Sequence, residues 1–170
     1  MLNEIYVSLK PLGFSKYSVS NYGNVRNDEV NRLMLQSGNQ SGTLYVGLID
    51  DNDQLQRKLS VGLLVAKMFL NERPDPNDNV IHLDGNRKNN FVTNLEYRPG
   101  WFAKQYHRQF DAPSPKIKVP IIEFYTDEWF PDSWAACRKY GLLDKDVLLS
   151  VVDAITVWPT GQLFVFAPEY

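Results

Sequence analysis

One cysteine, no long apolar run and almost no net charge: each shortage closes off a class of function. Cys137 is the sole cysteine, so no internal disulfide can form, and its place in the apolar run WAAC marks a buried, inert thiol rather than a nucleophile. No stretch reaches the roughly eighteen apolar residues of a membrane span. The start, MLNEIYVSLK, lacks the basic-then-apolar order of a secretory signal, so a cytoplasmic protein without a membrane partner is expected. A formal charge of −2 and a pI near 5.7 argue against a dedicated DNA binder, whose phosphate contacts show as an excess of Lys and Arg.

What is present is ample for a packed core: 170 residues, 44% hydrophobic and 13% aromatic. The charge is unevenly spread. Residues 1–119 hold 15 Lys and Arg against 12 Asp and Glu, a net of +3, whereas residues 120–170 hold 3 against 8, a net of −5. Any electrostatic footprint for nucleic acid therefore lies in the first two-thirds, and the remainder repels phosphate.

Short β-type runs separated by Gly, Asn and Asp fill the first 60 residues. Tyr17–Ser20, Asn24–Arg26, Leu44–Ile49 and Gln54–Ser60 read as strands of a small antiparallel sheet. Val61–Leu70 reads as a helix, stopped by Asn71, Pro74 and Pro76. Then come a strand Val80–Leu83, the polar loop DGNRKNN, a strand Leu95–Arg98 and a helix from about Gly100 to Phe110. Asp111–Pro120 holds three prolines and reads as a linker. Beyond it, VPIIEFYT reads as a strand, and a helix capped by Asp132 or Ser133 ends before Gly141. A second helix is capped by Asp144, and a hairpin turns at Thr160 and Gly161. Two short helices joined by GLL make a helix-turn-helix candidate. The boundaries expected are 1–60, 61–110, linker 111–120, and 121–170. Trp129, Trp134 and Trp158 sit in apolar contexts that suggest core positions, while Trp101 and Tyr106 leave the choice between core and base stacking open.

Four segments in one order carry a resemblance. YSVSNYGNVRN resembles the Y-x-V-S-N-x-G-x-V-R signature of phage-type, intron-encoded HNH homing endonucleases. LLVAKMF resembles their V-H-R-L-V-A helix, HLDGNRKNNFVTNLEY their D-H-x-D-G-N-x-x-N-N-x-x-x-N-L-x-W core, and FPDSWAACRKYGLLDKDVLLSVV their C-terminal helix-turn-helix repeat. The resemblance implies an α+β fold: a small antiparallel sheet, a ββα-metal (His-Me finger) HNH core, a linker and a C-terminal helix-turn-helix-containing domain. It also implies roles. His82 is the general base that activates water against a phosphate beside a divalent ion, and Asn94 braces the loop that orients it. Asp84, Gly85, Asn86 and Asn90 match the turn.

The mismatches fall on the metal. Ile81 stands where the family places Asp or Asn before the histidine, and Ala103 aligns with its second ligand on the following helix. Magnesium takes oxygen ligands, which neither side chain offers. His107, on the same helix as Ala103 but about 5 Å further along its axis, is a weak substitute. The helix near residue 62 lacks the family's His-Arg pair, and Asp144, Asp146 and Asp153 outnumber Lys145 in the second helix of the C-terminal unit, which would penalise entry into a DNA groove. The candidate DNA contacts are Arg26, Lys58, Arg87, Lys88, Arg98, Lys104 and Arg108, with ordinary solvated charge as the equal alternative.

Three functional classes follow. The first is an HNH-derived protein without nuclease activity that binds a host or phage protein, such as a phage accessory factor acting on host machinery in the host cytoplasm. The second is an active, site-specific nicking endonuclease using Mg²⁺ or Mn²⁺ with His82 as base. The third is a non-cleaving protein that binds double-stranded DNA. The missing ligands lean against an enzyme, so no cofactor is expected under the first or third class.

Overall fold

The computed structural model describes residues 3–70 and 75–168. The expected helix-stopping residues Asn71 and Pro74 lie outside that range. Among the described residues the fold is mixed, with small antiparallel sheets and four α-helices. No helix there is long and apolar enough to cross a membrane. Two compact units emerge: Met1–His82 with Asn86–Pro99, and Leu83–Gly85 with Gly100–Tyr170.

The first unit begins with β1 (Tyr6–Ser8), β2 (Tyr17–Ser20), β3 (Val25–Asn27) and β4 (Arg32–Leu33), which pair antiparallel in that order. Val19 sits opposite Val7 and Val25, and it is fully buried. Asn24 stays outside β3 because its N–H bonds the Ser20 hydroxyl at 3.0 Å in the turn. A second sheet holds β5 (Gln36–Gly38), β6 (Leu44–Ile49) and β7 (Gln56–Ser60). The single N-terminal sheet expected from the sequence is thus two sheets. α1 (Val61–Phe69) follows, and its buried Val61, Leu64 and Val65 join Leu9, Val19, Val25, Val46 and Leu48 in one core. Fully burying each aliphatic side chain stabilises by about 1.5–3 kcal/mol before chain entropy is subtracted. β8 (Asp78–His82) and β9 (Leu95–Pro99) complete the unit, with Ile81 opposite Glu96 and His82 opposite Leu95. β8 starts earlier than the sequence suggested and excludes Leu83.

In the second unit, α2 (Gly100–Gln109) buries Phe102 and Tyr106 completely. The Tyr106 hydroxyl reaches the carbonyls of Leu83 (2.7 Å) and Cys137 (3.1 Å). Segment 111–120 lies inside this unit, where Ile117 is buried in the second core. β10 (Ile121–Glu123), β11 (Glu128–Phe130) and β12 (Phe164–Phe166) form a sheet with β10 in the middle. The expected C-terminal hairpin shrinks to one bridge, Val157 to Gln162, because β12 pairs with β10 instead.

α3 (Ser133–Tyr140) starts as read: the Asp132 carboxylate accepts from the Ala135 N–H at 2.8 Å. α4 (Asp144–Asp153) does not. Its cap is Leu143, and Asp144 is the first helical residue, buried and turned away from capping. Its carboxylate accepts from the Ser133 hydroxyl and from the Lys116 N–H at 2.9 Å, which ties segment 111–120 to both helices. Trp129 and Trp158 also depart from expectation, being 56% and 53% exposed. Trp134 is half-buried, its ring edge-on to Phe110 and covered, like Phe110, by the Arg138 guanidinium.

Candidate functional site

His82 ends β8, where the strand gives way to the polar loop, and it is buried to 5% exposure. Its Nε2 lies 2.9 Å from Oδ1 of Asn90, itself 4% exposed. A buried imidazole in hydrogen-bond contact with an amide oxygen has one ring nitrogen held, which fixes the ring's orientation and favours the tautomer with the proton on Nε2.

Three elements press on this pair. Gly62, in the first turn of α1, lies so close that a Cβ there would stand 2.8 Å from Asn90 Oδ1 and 3.3 Å from His82 Nε2. Gly23, in the β2–β3 turn at φ +86°, approaches from another side: a Cβ would meet Asn90 Cβ at 2.7 Å. The same turn accepts the Val92 N–H at the Asn21 carbonyl (2.9 Å) and sets Tyr22 edge-on to Phe91 with centroids 4.8 Å apart. The third element is the loop itself. Asn94 donates its amide to the Asn89 carbonyl at 2.8 Å, and the Lys88 N–H bonds the Asn86 side chain at 3.1 Å. Asn94 thus lies across the end of the loop that carries Asn90, while Asp84 and Asn86 are exposed.

The metal-related positions are hydrocarbon. Ile81 is fully buried in the first unit and Ala103 is 5% exposed on α2. His107 turns its Nδ1 to the Ala103 carbonyl of its own helix at 3.0 Å. Among the described residues, no group of three or more His, Cys, Asp or Glu side chains gathers as a metal site would require.

The seven candidate cations divide by surroundings. Arg26 pairs with Asp28 at 2.8 Å and covers the Tyr6 ring at 4.3 Å. Beside it, hydrogen bonds from Asn24 and then Ser20 hold the Glu4 carboxyl below its usual range. Arg98 is 7% exposed and engages Glu96 and the Tyr97 carbonyl, both at 2.9 Å. Both arginines have partners within the first unit. Lys58 and Lys88 are exposed in the first unit, Arg87 is half-buried there, and Lys104 and Arg108 lie exposed one turn apart on α2. Sequence reasoning missed the part played by Gly62, which it read as a lost polar side chain. It also treated Asn90 as a turn residue when it is the histidine's partner; the available signal was two glycines and one asparagine without the bulk to fill a buried site.

Known proteins bear on this arrangement. Residues 7–49 match the NUMOD4 motif, the segment containing the turn that backs Asn90. The chain is 34% identical over 96 residues to the uncharacterized HNH endonuclease L247 of Acanthamoeba polyphaga mimivirus, covering 56% of this chain and 24% of that protein. It is 34% identical over 84 residues to L245 of the same virus, covering 49% and 24%. The chain therefore spans about a quarter of the length of these curated relatives. A solved structure showing DNA binding and cleavage by the HNH homing endonuclease I-HmuI shares the fold at a TM-score of 0.53 and 22% identity, covering 98% of this chain and 99% of that one. Motif, relatives and fold together support relationship to the HNH endonucleases.

Proposed function

We propose that the chain is an HNH endonuclease-related protein that binds another macromolecule without cutting DNA, in the manner of a phage or other viral accessory protein acting on host machinery. The observation that carries this reading is Ile81. A fully buried hydrocarbon side chain directly before the histidine offers no oxygen to a divalent ion. Ala103, a methyl at the second ligand position, does not fit one either. His82 and Asn90 keep a frame without the electrophile that would stabilise a developing phosphate charge, so no hydrolytic step is assigned to them. The net charge of −5 over residues 120–170 favours a protein partner over a phosphate backbone.

The test is supercoiled plasmid incubated with the purified chain and Mg²⁺ or Mn²⁺. No nicking above a metal-free control is expected, and nicking that His82→Ala abolishes would overturn the reading.

Non-cleaving DNA binding is the second reading. Exposed Lys58, Lys88, Lys104 and Arg108 favour it. Phosphate contacts at those residues predict an affinity for duplex DNA that falls steeply with ionic strength. Absence of duplex DNA binding even at low ionic strength would remove it, and binding insensitive to salt would remove the phosphate contacts at those residues.

A further inference from the structure

The outer side of α4 and the tryptophans beside it are open to solvent. Trp101 and Trp158 stack with ring centroids 5.9 Å apart and planes 24° from parallel, each more than half exposed. Leu149, Val152 and Ile155 are exposed to 44%, 65% and 49%. A groove of about 340 Å³ runs among Trp101, Leu149, Ile155 and Trp158, with Lys145 and Asp146 on its wall. α4 already buries Val147 and Ser150 in the core, so its leucine and valine on the outer side are surplus to folding. A contiguous apolar patch with two tryptophans is the composition of a binding surface rather than of solvated helix.

The charges around the patch select the partner. Of the three cations in residues 120–170, Lys139 is paired with Glu128, and Arg138 lies over the Phe110 and Trp134 rings. Lys145 alone of the three lines the groove, where Asp146 balances it, and the exposed Asp153 lies about two turns further along the same helix. A nucleic acid stacked on the indoles would bring its phosphates toward those carboxylates. An Arg or Lys side chain meets indole faces that attract cations and carboxylates that pair with them.

We propose that this groove binds an amphipathic protein segment that carries Arg or Lys beside Leu- or Phe-type side chains. The proposal rests on the reading of the chain as a binding protein, and the two fail separately. Plasmid nicking would overturn that reading and leave the groove untouched.

The probes are a fluorescent Leu/Lys amphipathic helical peptide and its Leu/Glu counterpart, titrated with the full chain by anisotropy. The Lys peptide binds at least about tenfold more tightly than the Glu peptide, and Trp158→Ala weakens it by about tenfold. Trp158 also packs on Phe102, with centroids 5.7 Å apart, so its truncation can disturb folding. The double variant Asp146→Lys with Asp153→Lys leaves the aromatic packing intact and reverses the preference between the two peptides. Equal binding of both peptides, or a Lys-peptide affinity unchanged in both variants, overturns the proposal. So does tighter binding of single-stranded oligothymidylate that Trp158→Ala removes, which assigns the groove to nucleic acid.

Discussion

Gly62 stands against Asn90 so closely that the first turn of α1 has room for the His82–Asn90 pair only because residue 62 has no side chain. Alanine is the better helix former, by about 1 kcal/mol in a helix interior, yet here its methyl would meet an oxygen at 2.8 Å. The crowding term wins.

Gly62→Ala is therefore expected to destabilise the chain by about 1–3 kcal/mol in urea unfolding. Asn90→Ala alone removes a hydrogen-bond partner of a buried imidazole and costs about 1–3 kcal/mol. Because Asn90→Ala also removes the oxygen that the added methyl would strike, the double variant should be more stable than the sum of the single losses predicts. Strict additivity would show that the helix turn and the amide do not share this space.

Asp144 gives a second stability test. Its buried carboxylate holds the Ser133 hydroxyl and the Lys116 N–H, while the Gln109 amide oxygen takes the Asp144 N–H at 2.7 Å. Asp144→Ala takes the acceptor from the Lys116 N–H, leaves the buried Ser133 hydroxyl only the Ile117 carbonyl at 3.4 Å, and should cost about 2–3 kcal/mol, whereas Lys145→Ala, one residue along and exposed, should stay within about 0.5 kcal/mol. Equal effects at the two positions would mean that the carboxylate does not staple segment 111–120 to the helices.

Tyr140 supplies a pH dependence. Burial, reinforced by its hydrogen bond to Glu128 at 2.7 Å, pushes its hydroxyl up to about 12. A folded-state value above the unfolded one, near 10, favours the protonated form in the folded chain, so this contribution is full below pH 10 and fades as pH rises toward 12. Among nine tyrosines, of which burial also raises Tyr6, an absorbance titration near 295 nm should show a late-ionising component that Tyr140→Phe diminishes and Glu128→Gln brings to lower pH. A titration unchanged in either variant assigns the late group elsewhere.

The Cys137 thiol is raised well above its ordinary value, by burial first and then by Asp144, Asp146 and Asp132. It should resist an aromatic disulfide reagent in the native chain and react completely in denaturant. Rapid native labelling would contradict the packing of α3.

Where the local pattern decided the outcome, the sequence was readable. β2 and β6 have the expected bounds, α1 differs by one residue, and Asp132 caps α3 as its spacing from Ala135 requires. β1, β4 and β5 escaped because runs of two or three residues carry no period and exist through pairing with distant strands. Asp144 looked like a cap because caps and buried acceptors share a residue type, and only the Lys116 N–H and the Ser133 hydroxyl distinguish them. Trp129 and Trp158 were misplaced because apolar neighbours in sequence do not say which side of a sheet or turn meets solvent. At the site, the histidine and its loop were legible as a motif, but the glycines that make room for Asn90 lie on other elements and became visible only with the chain folded.

The contact between the β2–β3 turn and residues 90–92 bears on how freely pieces of this chain could be exchanged. Asn21 and Val92 are bonded across most of the first unit's length, so the stretch holding His82 depends for its footing on residues that precede α1. A fragment beginning at Val61 would retain every residue of the polar loop and lose the floor beneath it. The N-terminal motif is in this sense not a detachable address label but part of the bench on which the histidine is mounted.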